Sequence, residues 1–257
     1  MDLGLTGRTA LVCASTSGLG LAIAQNLATE GAHVVLTGRR GDLAAKEAAA
    51  LPNAVGVEAD LNDPDAPERL VRTAEETFGP VDVLVLNGGG PPAGTASEQK
   101  VESISAAVDS LLLPQQRLLE RVVPGMRERG WGRVIAVGSS GVIEPALDLA
   151  LSNVGRAALA ALLKSLASDV AQDGVTVNMV LPGRIATPRV AALDQGRAEK
   201  EGRPVAEVEA MFRGMIPVGR YGDPSEFGAV AAFLCSSQAS YVTGSQVRVD
   251  GGFIRSL

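Results

Sequence analysis

Short apolar runs rich in β-branched residues alternate with Ala/Leu-rich stretches of helical period along most of the chain. The runs at 9–14, 33–37, 54–58, 81–86, 133–137, 175–181 and 246–249 predict seven strands, several apolar at successive positions rather than at every second one. A strand that is apolar on both faces must be covered by helices above and below. The pattern therefore predicts an α/β fold, a seven-stranded parallel doubly wound sheet with helices on both faces. The helices carry start signals. Asp63-Pro64 precedes Val71, Ala74 and Phe78, and Asp223-Pro224 is followed by Glu226 ahead of Phe227, Val230 and Phe233. The rhythm breaks between 187 and 220, where Pro188, Pro204 and Pro217 fall among many charges. Its place after the sixth strand makes this stretch either a lid over a ligand cleft or a plain solvated helical excursion.

Length and composition narrow the class. A chain of 257 residues fits one domain, 1–257, and buries roughly three quarters of its unfolded surface without a disulfide or metal staple. A net charge of −6 argues against a nucleic-acid partner. Cys13 and Cys235 lie in apolar surroundings without metal-like spacing, which predicts buried free thiols, no metal site and a reducing compartment. The first residues hold no basic segment followed by a long apolar one, and no run reaches the roughly 20 apolar residues of a membrane span. The expectation is a cytoplasmic protein with no membrane partner.

Candidate chemistry begins after the first strand, at Ala14-Ser15-Thr16-Ser17-Gly18-Leu19-Gly20, which leads into the helical run Leu21, Ile23, Ala24 and Leu27. Glycines there let backbone approach a pyrophosphate, and the helix start offers free N–H groups and partial positive charge. The second strand ends in Thr37-Gly38-Arg39-Arg40, with no carboxylate for a ribose 2′-hydroxyl but with guanidinium groups that suit a 2′-phosphate, so NADP(H) is favoured over NAD(H). Solvated turn charges are the plainer account of Arg39 and Arg40. Asp60-Leu61 and Asn87-Gly88-Gly89-Gly90 then put small or hydrogen-bonding groups at the ends of the third and fourth strands, where open α/β sheets bind ligands.

These motifs, with Ser139-Ser140-Gly141, Pro182-Gly183 and Thr187, and Val249-Asp250-Gly251-Gly252, make the chain resemble a short-chain dehydrogenase/reductase over essentially its whole length, of the kind related to 3-oxoacyl-acyl-carrier-protein reductases. The resemblance implies a Rossmann fold that binds NAD(P)(H), with Ser15 to Gly20 at the pyrophosphate and Asp60 and Leu61 near adenine. It places Asn87, Gly88 and Gly89 by the adenosine ribose, and Pro182, Gly183, Ile185 and Thr187 near nicotinamide. It also implies a homo-oligomer, a tetramer or dimer, with an interface formed by the helices between Val101 and Arg129 and between Leu149 and Asp173. Ala14 departs from the family's first glycine, which bears on the shape of the turn.

The same resemblance assigns catalysis to an asparagine, a serine, a tyrosine and a lysine, and the register of this chain puts the asparagine position at or beside Leu111 and the other three at Ser139, Ser152 and Arg156. Only the serine matches. Tyr221 and Tyr241 cannot restore the pair, since Ser225 and Ser245 stand four residues beyond them. A tyrosine phenol beside an ammonium can protonate a carbonyl oxygen, whereas a serine hydroxyl is a far poorer acid and a guanidinium holds charge without relaying a proton. Ser139, Ser152, Asn153 and Arg156 together remain able to bind a carbonyl or carboxylate and to stabilise an enolate or alkoxide. Glu144 or Asp148 could supply a replacement acid if buried, and His33 sits at the strand edge away from the ligand. Three readings follow: an atypical NADP(H)-dependent oxidoreductase of a small carbonyl or hydroxyl substrate, a nucleotide-binding regulatory or partner subunit without redox turnover, and a non-redox isomerase or lyase working through an enolate.

Overall fold

The computed structural model describes residues 1–256. Its strands are β1 (Thr9–Val12), β2 (His33–Gly38), β3 (Ala54–Glu58), β4 (Val81–Leu86), β5 (Gly132–Val137), β6 (Val175–Pro182) and β7 (Gln246–Val249). The helices are α1 (Gly18–Thr29), α2 (Gly41–Ala49), α3 (Ala66–Thr77), α4 (Val101–Leu111), α5 (Leu113–Glu128), α6 (Ala150–Val170), α7 (Pro188–Glu201), α8 (Val205–Met215) and α9 (Pro224–Cys235). All strand pairs are parallel, in the order β3-β2-β1-β4-β5-β6-β7. The chain winds outward from β1 to β3 and then crosses back to β4, so the winding reverses between β1 and β4. The carboxyl ends of those two strands flank the crevice in which such sheets bind ligands.

Alternation along each strand divides the core into two layers. Leu11, Leu84, Leu86, Val134, Ala136, Val177 and Met179 pack with Leu70 of α3, Leu118 and Val122 of α5 and Leu163 of α6. Ala10, Val12, Val83, Val85, Ile135 and Val137 pack on the other face with Ile23 and Leu27 of α1, Ala48 of α2 and Phe227 and Ala231 of α9. Each central strand thus buries both faces, as the near-continuous apolar runs require. Cys13 and Cys235 are free and buried, and burial pushes both thiols up to about 12, so neither is ionised at neutral pH.

Element limits differ from the sequence pattern in instructive places. The first strand stops at Val12 because Ala14 turns into the left-handed region, φ +46°. The third helix starts at Ala66, after Asp63 has accepted the N–H of Asp65 and closed a separate turn, with Pro67 occupying the first helical turn. Asp223 behaves as the spacing predicts, accepting from Ser225 while Glu226 reaches back to the Asp223 N–H at 2.7 Å. The stretch from Val101 to Arg129 is two helices, broken at Leu112 with Pro114 just beyond. Residues 187–220 form α7 and α8, which share a small core of Ala198, Val208 and Phe212 apart from the two main layers.

Helix α9 lies close against α1 because residue 228 is glycine. A Cβ there would stand 2.5 Å from both the Ala22 carbonyl oxygen and Asn26 Nδ2. Gly228→Ala is expected to push the two helices apart and lower unfolding free energy by about 1–2 kcal/mol in urea titration, outweighing the helix-propensity gain of about 1 kcal/mol.

Candidate functional site

The turn after β1 is shaped by backbone packing. Asn87 Nδ2 donates to the Ala14 carbonyl at 3.1 Å, and the Ala14 N–H donates to Thr37 Oγ1 at 3.1 Å, tying the turn to the ends of β4 and β2. A Cβ on Gly20 would lie 2.5 Å from the Ala14 oxygen and 2.7 Å from Asn87 Nδ2, so only glycine fits. Gly18 adopts φ +58°, the left-handed region that glycine enters without steric cost. Ser17 occupies the N-cap of α1 without a side-chain hydrogen bond to it, and the first turn holds no acidic residue. The N–H groups at Gly18, Leu19 and Gly20 therefore end in an unshielded positive helix terminus suited to an anion. Thr16 covers Gly38, where a Cβ would sit 2.6 Å from its Cγ2. Ser15 is fully buried, with its hydroxyl donating to Val12 O at 2.7 Å and accepting from Thr37 N at 2.9 Å. Its side chain is spent on joining β1 to β2.

Arg39 and Arg40 follow β2 as exposed side chains, and neither enters an ion pair among the described residues. Asp60 is exposed and accepts from the N–H of Asn62 at 3.0 Å, with Leu61 half-buried beside it. Gly88 and Gly89 continue from Asn87, and Gln115 of α5 reaches the Asn87 carbonyl at 3.5 Å from beneath. Across the crevice, Pro182 ends β6 and Gly183 passes so close to Asp250 that a Cβ would meet its Cα at 2.6 Å. Ile185 is buried against Gly222, and Thr187 caps α7 through Val190 N at 3.4 Å. Thr187 stands 3.7 Å from where a Gly18 Cβ would be, so the N-termini of α1 and α7 converge.

Ser139, Ser152, Asn153 and Arg156 come together where β5 ends and α6 begins, but they are committed differently. Ser139 Oγ accepts from Gly141 N at 3.1 Å and keeps its proton free to donate. Ser152 is buried, and its hydroxyl has no hydrogen-bond partner among the described residues while remaining open rather than sealed. Asn153 turns inward, donating to Ala146 O at 2.8 Å with its own oxygen buried and unpaired against Gly141. Arg156 donates from Nη1 to Val137 O at 2.6 Å. Burial first, and the positive charge of Arg189 second, bring its pKa down to about 10, which leaves it cationic at neutral pH. Leu111 fills the space over Gly155, where a Cβ would stand 2.6 Å from Leu111 Cδ1. Glu144 and Asp148 are exposed, so the burial that a replacement acid needs is not met. His33 rests against Phe78 at the far edge of the sheet, with ring centroids 4.9 Å apart. No cluster of metal-ligating side chains occurs among the described residues.

Two arginines near the site are not evident from sequence motifs. Arg189, on the first turn of α7, crosses to the loop after β4 and donates to Pro91 O at 2.8 Å. Its position next to the Thr187 cap and Pro188 was the one available signal. Arg184, just after β6, pairs with the fully buried Asp194 of α7, which also accepts from Tyr221 Oη at 2.8 Å. Its guanidinium lies 3.3 Å from the Phe212 ring centroid, clamping α8 to the same point.

This doubly wound sheet, with a glycine turn and an uncapped helix terminus at its winding reversal, defines an α/β protein of the Rossmann class. A family model described as enoyl-(acyl carrier protein) reductase matches residues 13–254. The chain belongs to the short-chain dehydrogenase/reductase family of oxidoreductases. It is 33% identical to D-beta-hydroxybutyrate dehydrogenase of Cupriavidus necator over 97% of this chain and 99% of that one. It is 34% identical to a 3-oxoacyl-[acyl-carrier-protein] reductase of Vibrio cholerae, over 97% and 98% of the two chains. L-sorbose reductase from Gluconobacter frateurii, solved with NADPH and L-sorbose, superposes with a TM-score of 0.93 at 33% identity over the whole of both chains.

The Arg184–Asp194–Tyr221 cluster fixes α7 over the crevice, so its loss has a local signature. Asp194→Ala leaves a half-buried guanidinium unpaired, a change that costs about 3–5 kcal/mol when such a pair is broken. Hydrogen exchange is expected to show lost protection in α7 and α8 with the amides of β1, β4 and β5 unchanged.

Proposed function

We propose that the protein is an NADP(H)-dependent oxidoreductase of a small carbonyl or hydroxyl compound, working with a non-standard active site. The observation that carries this reading is the convergence of the uncapped α1 terminus, Asn87 and Thr187 at the winding reversal. A reduced nicotinamide supplies hydride when bound. The N–H groups at Gly18, Leu19 and Gly20, with Thr16 and Ser17, face the pyrophosphate. Arg39 and Arg40, free of protein carboxylates, receive the 2′-phosphate. Asp60 and Leu61 border adenine, Asn87, Gly88 and Gly89 the adenosine ribose, and Pro182, Gly183, Ile185 and Thr187 the nicotinamide. The NADPH in the L-sorbose reductase complex supports the same cofactor class here.

At the reacting end, Ser139 and Ser152 donate to the carbonyl oxygen and Arg156 holds ribose hydroxyls or the developing oxyanion. Ser152 and Arg156 stand where the family resemblance sets a tyrosine and a lysine, so the proton is taken from water. Absence of a positioned acid lowers the rate by about 10²–10⁴-fold. Residues 187–220 act as the substrate lid. Val101, Ile104, Leu113 and Val154 expose apolar side chains on α4, α5 and α6, which supports a homodimer or homotetramer built on those helices. No described helix is long and apolar enough to cross a membrane.

Calorimetry should give tighter binding of NADPH than of NADH, and Arg39→Asp with Arg40→Asp should reverse the order. In assays with a panel of oxo compounds, loss of reduced-nicotinamide absorbance is expected to be slow. Ser152→Tyr combined with Arg156→Lys should raise that rate by about 10²-fold or more. Tight NADPH binding with no turnover on any compound would instead favour a nucleotide-binding subunit. Binding of neither nucleotide would overturn both readings.

A further inference from the structure

Arg189 stands apart from the other arginines of its region. Arg184 pairs with Asp194, Arg197 and Arg203 with Glu201, Arg213 with Glu209, and Arg220 with Glu226. Arg189 has no carboxylate partner among the described residues, and its single hydrogen bond goes to the Pro91 carbonyl. The side chain is exposed, yet it does not trail into solvent along its own helix. It lies flat on Gly90, with Nη2 2.9 Å and Cζ 3.1 Å from the place a Cβ would occupy. The glycine at 90 is what lets a guanidinium settle there, between α7 and the end of β4.

Arg156 is the second unpaired cation at this end of the crevice. Only Nη1 makes a protein hydrogen bond, and none of its nitrogens is both sealed from solvent and unpartnered. No carboxylate offsets its burial. The one charge that acts on it is that of Arg189, and it is repulsive. Asp148, on the loop between β5 and α6, is exposed and pairs with neither arginine. Two guanidinium groups without carboxylate partners, one half-buried and one exposed, thus stand at this end of the crevice, an arrangement open to an anion. The adjoining Ser139 and Ser152 hydroxyls also have protons to donate. Two guanidinium groups that only donate, beside two hydroxyls with protons to give, match a group that only accepts, and a planar carboxylate fits the guanidinium fork.

We propose that Arg189, backed by Arg156, binds an anionic group on the substrate, so that the substrate is an oxo or hydroxy acid rather than a neutral carbonyl compound. This rests on the oxidoreductase reading for the identity of the reacting group, but not for the binding of the anion. Arg189 is a specificity residue in this scheme. Its place over Gly90 puts it on the loop after β4, whose Gly94 bridges to Leu149 at the start of the helix that carries Ser152, while Thr187, two residues before it, meets the Gly18 turn.

The test is calorimetric titration of pyruvate and acetoacetate, each against its methyl ester, into the full-length protein with and without NADPH. At least one acid should bind about tenfold or more tightly than its ester. Arg189→Gln should remove that preference, weakening the acid by about 10–100-fold, the range of a charge-assisted hydrogen bond, while leaving the ester and NADPH affinities unchanged. Arg189→Lys should restore part of it. Gly90→Ala, which leaves both arginines present but displaces the Arg189 guanidinium, should also weaken the acid. Equal binding of acid and ester would overturn the proposal. So would an Arg189→Gln variant that loses NADPH affinity with the acid preference intact, since the arginine would then serve the cofactor's phosphates. Acid preference without hydride transfer to any compound would retain the anion site and remove the oxidoreductase reading instead.

Discussion

The position of every group in the crevice depends on how closely the turn at 14–20 is pressed into the sheet. The Ala14 carbonyl, Asn87 amide and Gly20 backbone meet with no room for one further carbon. That contact joins the end of β1 to the end of β4 at the point where the winding reverses, and Ser15 and Thr37 join it to β2. The direction of α1 follows, and with it the direction of its unshielded N–H groups. Ala14 pays for this with a side chain in the left-handed region, an energy of roughly 1–2 kcal/mol that the surrounding hydrogen bonds must offset.

Much of the fold was legible because the sheet is covered on both faces. Apolar residues at most positions of β1, β4, β5 and β6, on both faces, leave few alternatives for a segment of that length. Helix starts were less legible. Asp63 and Asp223 precede proline in the same way, yet only Asp223 has a glutamate three residues on to complete the cap. In the crevice, the glycines and Asn87 were readable because their role is steric and local. Ser15 and Asn153 carry residue types that suggest ligand contact, but burial commits each to its own loop. Arg189 could not be placed from sequence, since its meaning depends on a contact with Pro91, 98 positions away.

The reacting end of the site has an unusual balance of charge. Ser139, Ser152, Arg156 and Arg189 offer protons for hydrogen bonding, and no carboxylate among the described residues is buried beside them. Such a site binds negative charge readily and has little to exchange with it. In the proposed function, the weight of catalysis would then fall on electrostatic stabilisation rather than on proton transfer. It also gives the packing of α7 a clear consequence. The Arg184–Asp194–Tyr221 cluster holds α7 where Arg189 reaches the loop after β4.

Leu111 and Gly155 bear on how this chain could have come by its chemistry. The leucine is buried and rests directly on the glycine, so the α4 and α6 backbones are spaced to fit an aliphatic side chain between them. A polar group introduced at 111 would face a helix with no side chain to answer it and would be left unpaired. Any larger residue at 155 would collide with the leucine. Each residue therefore makes the other harder to replace, and a change at this contact needs both helices to be respaced together.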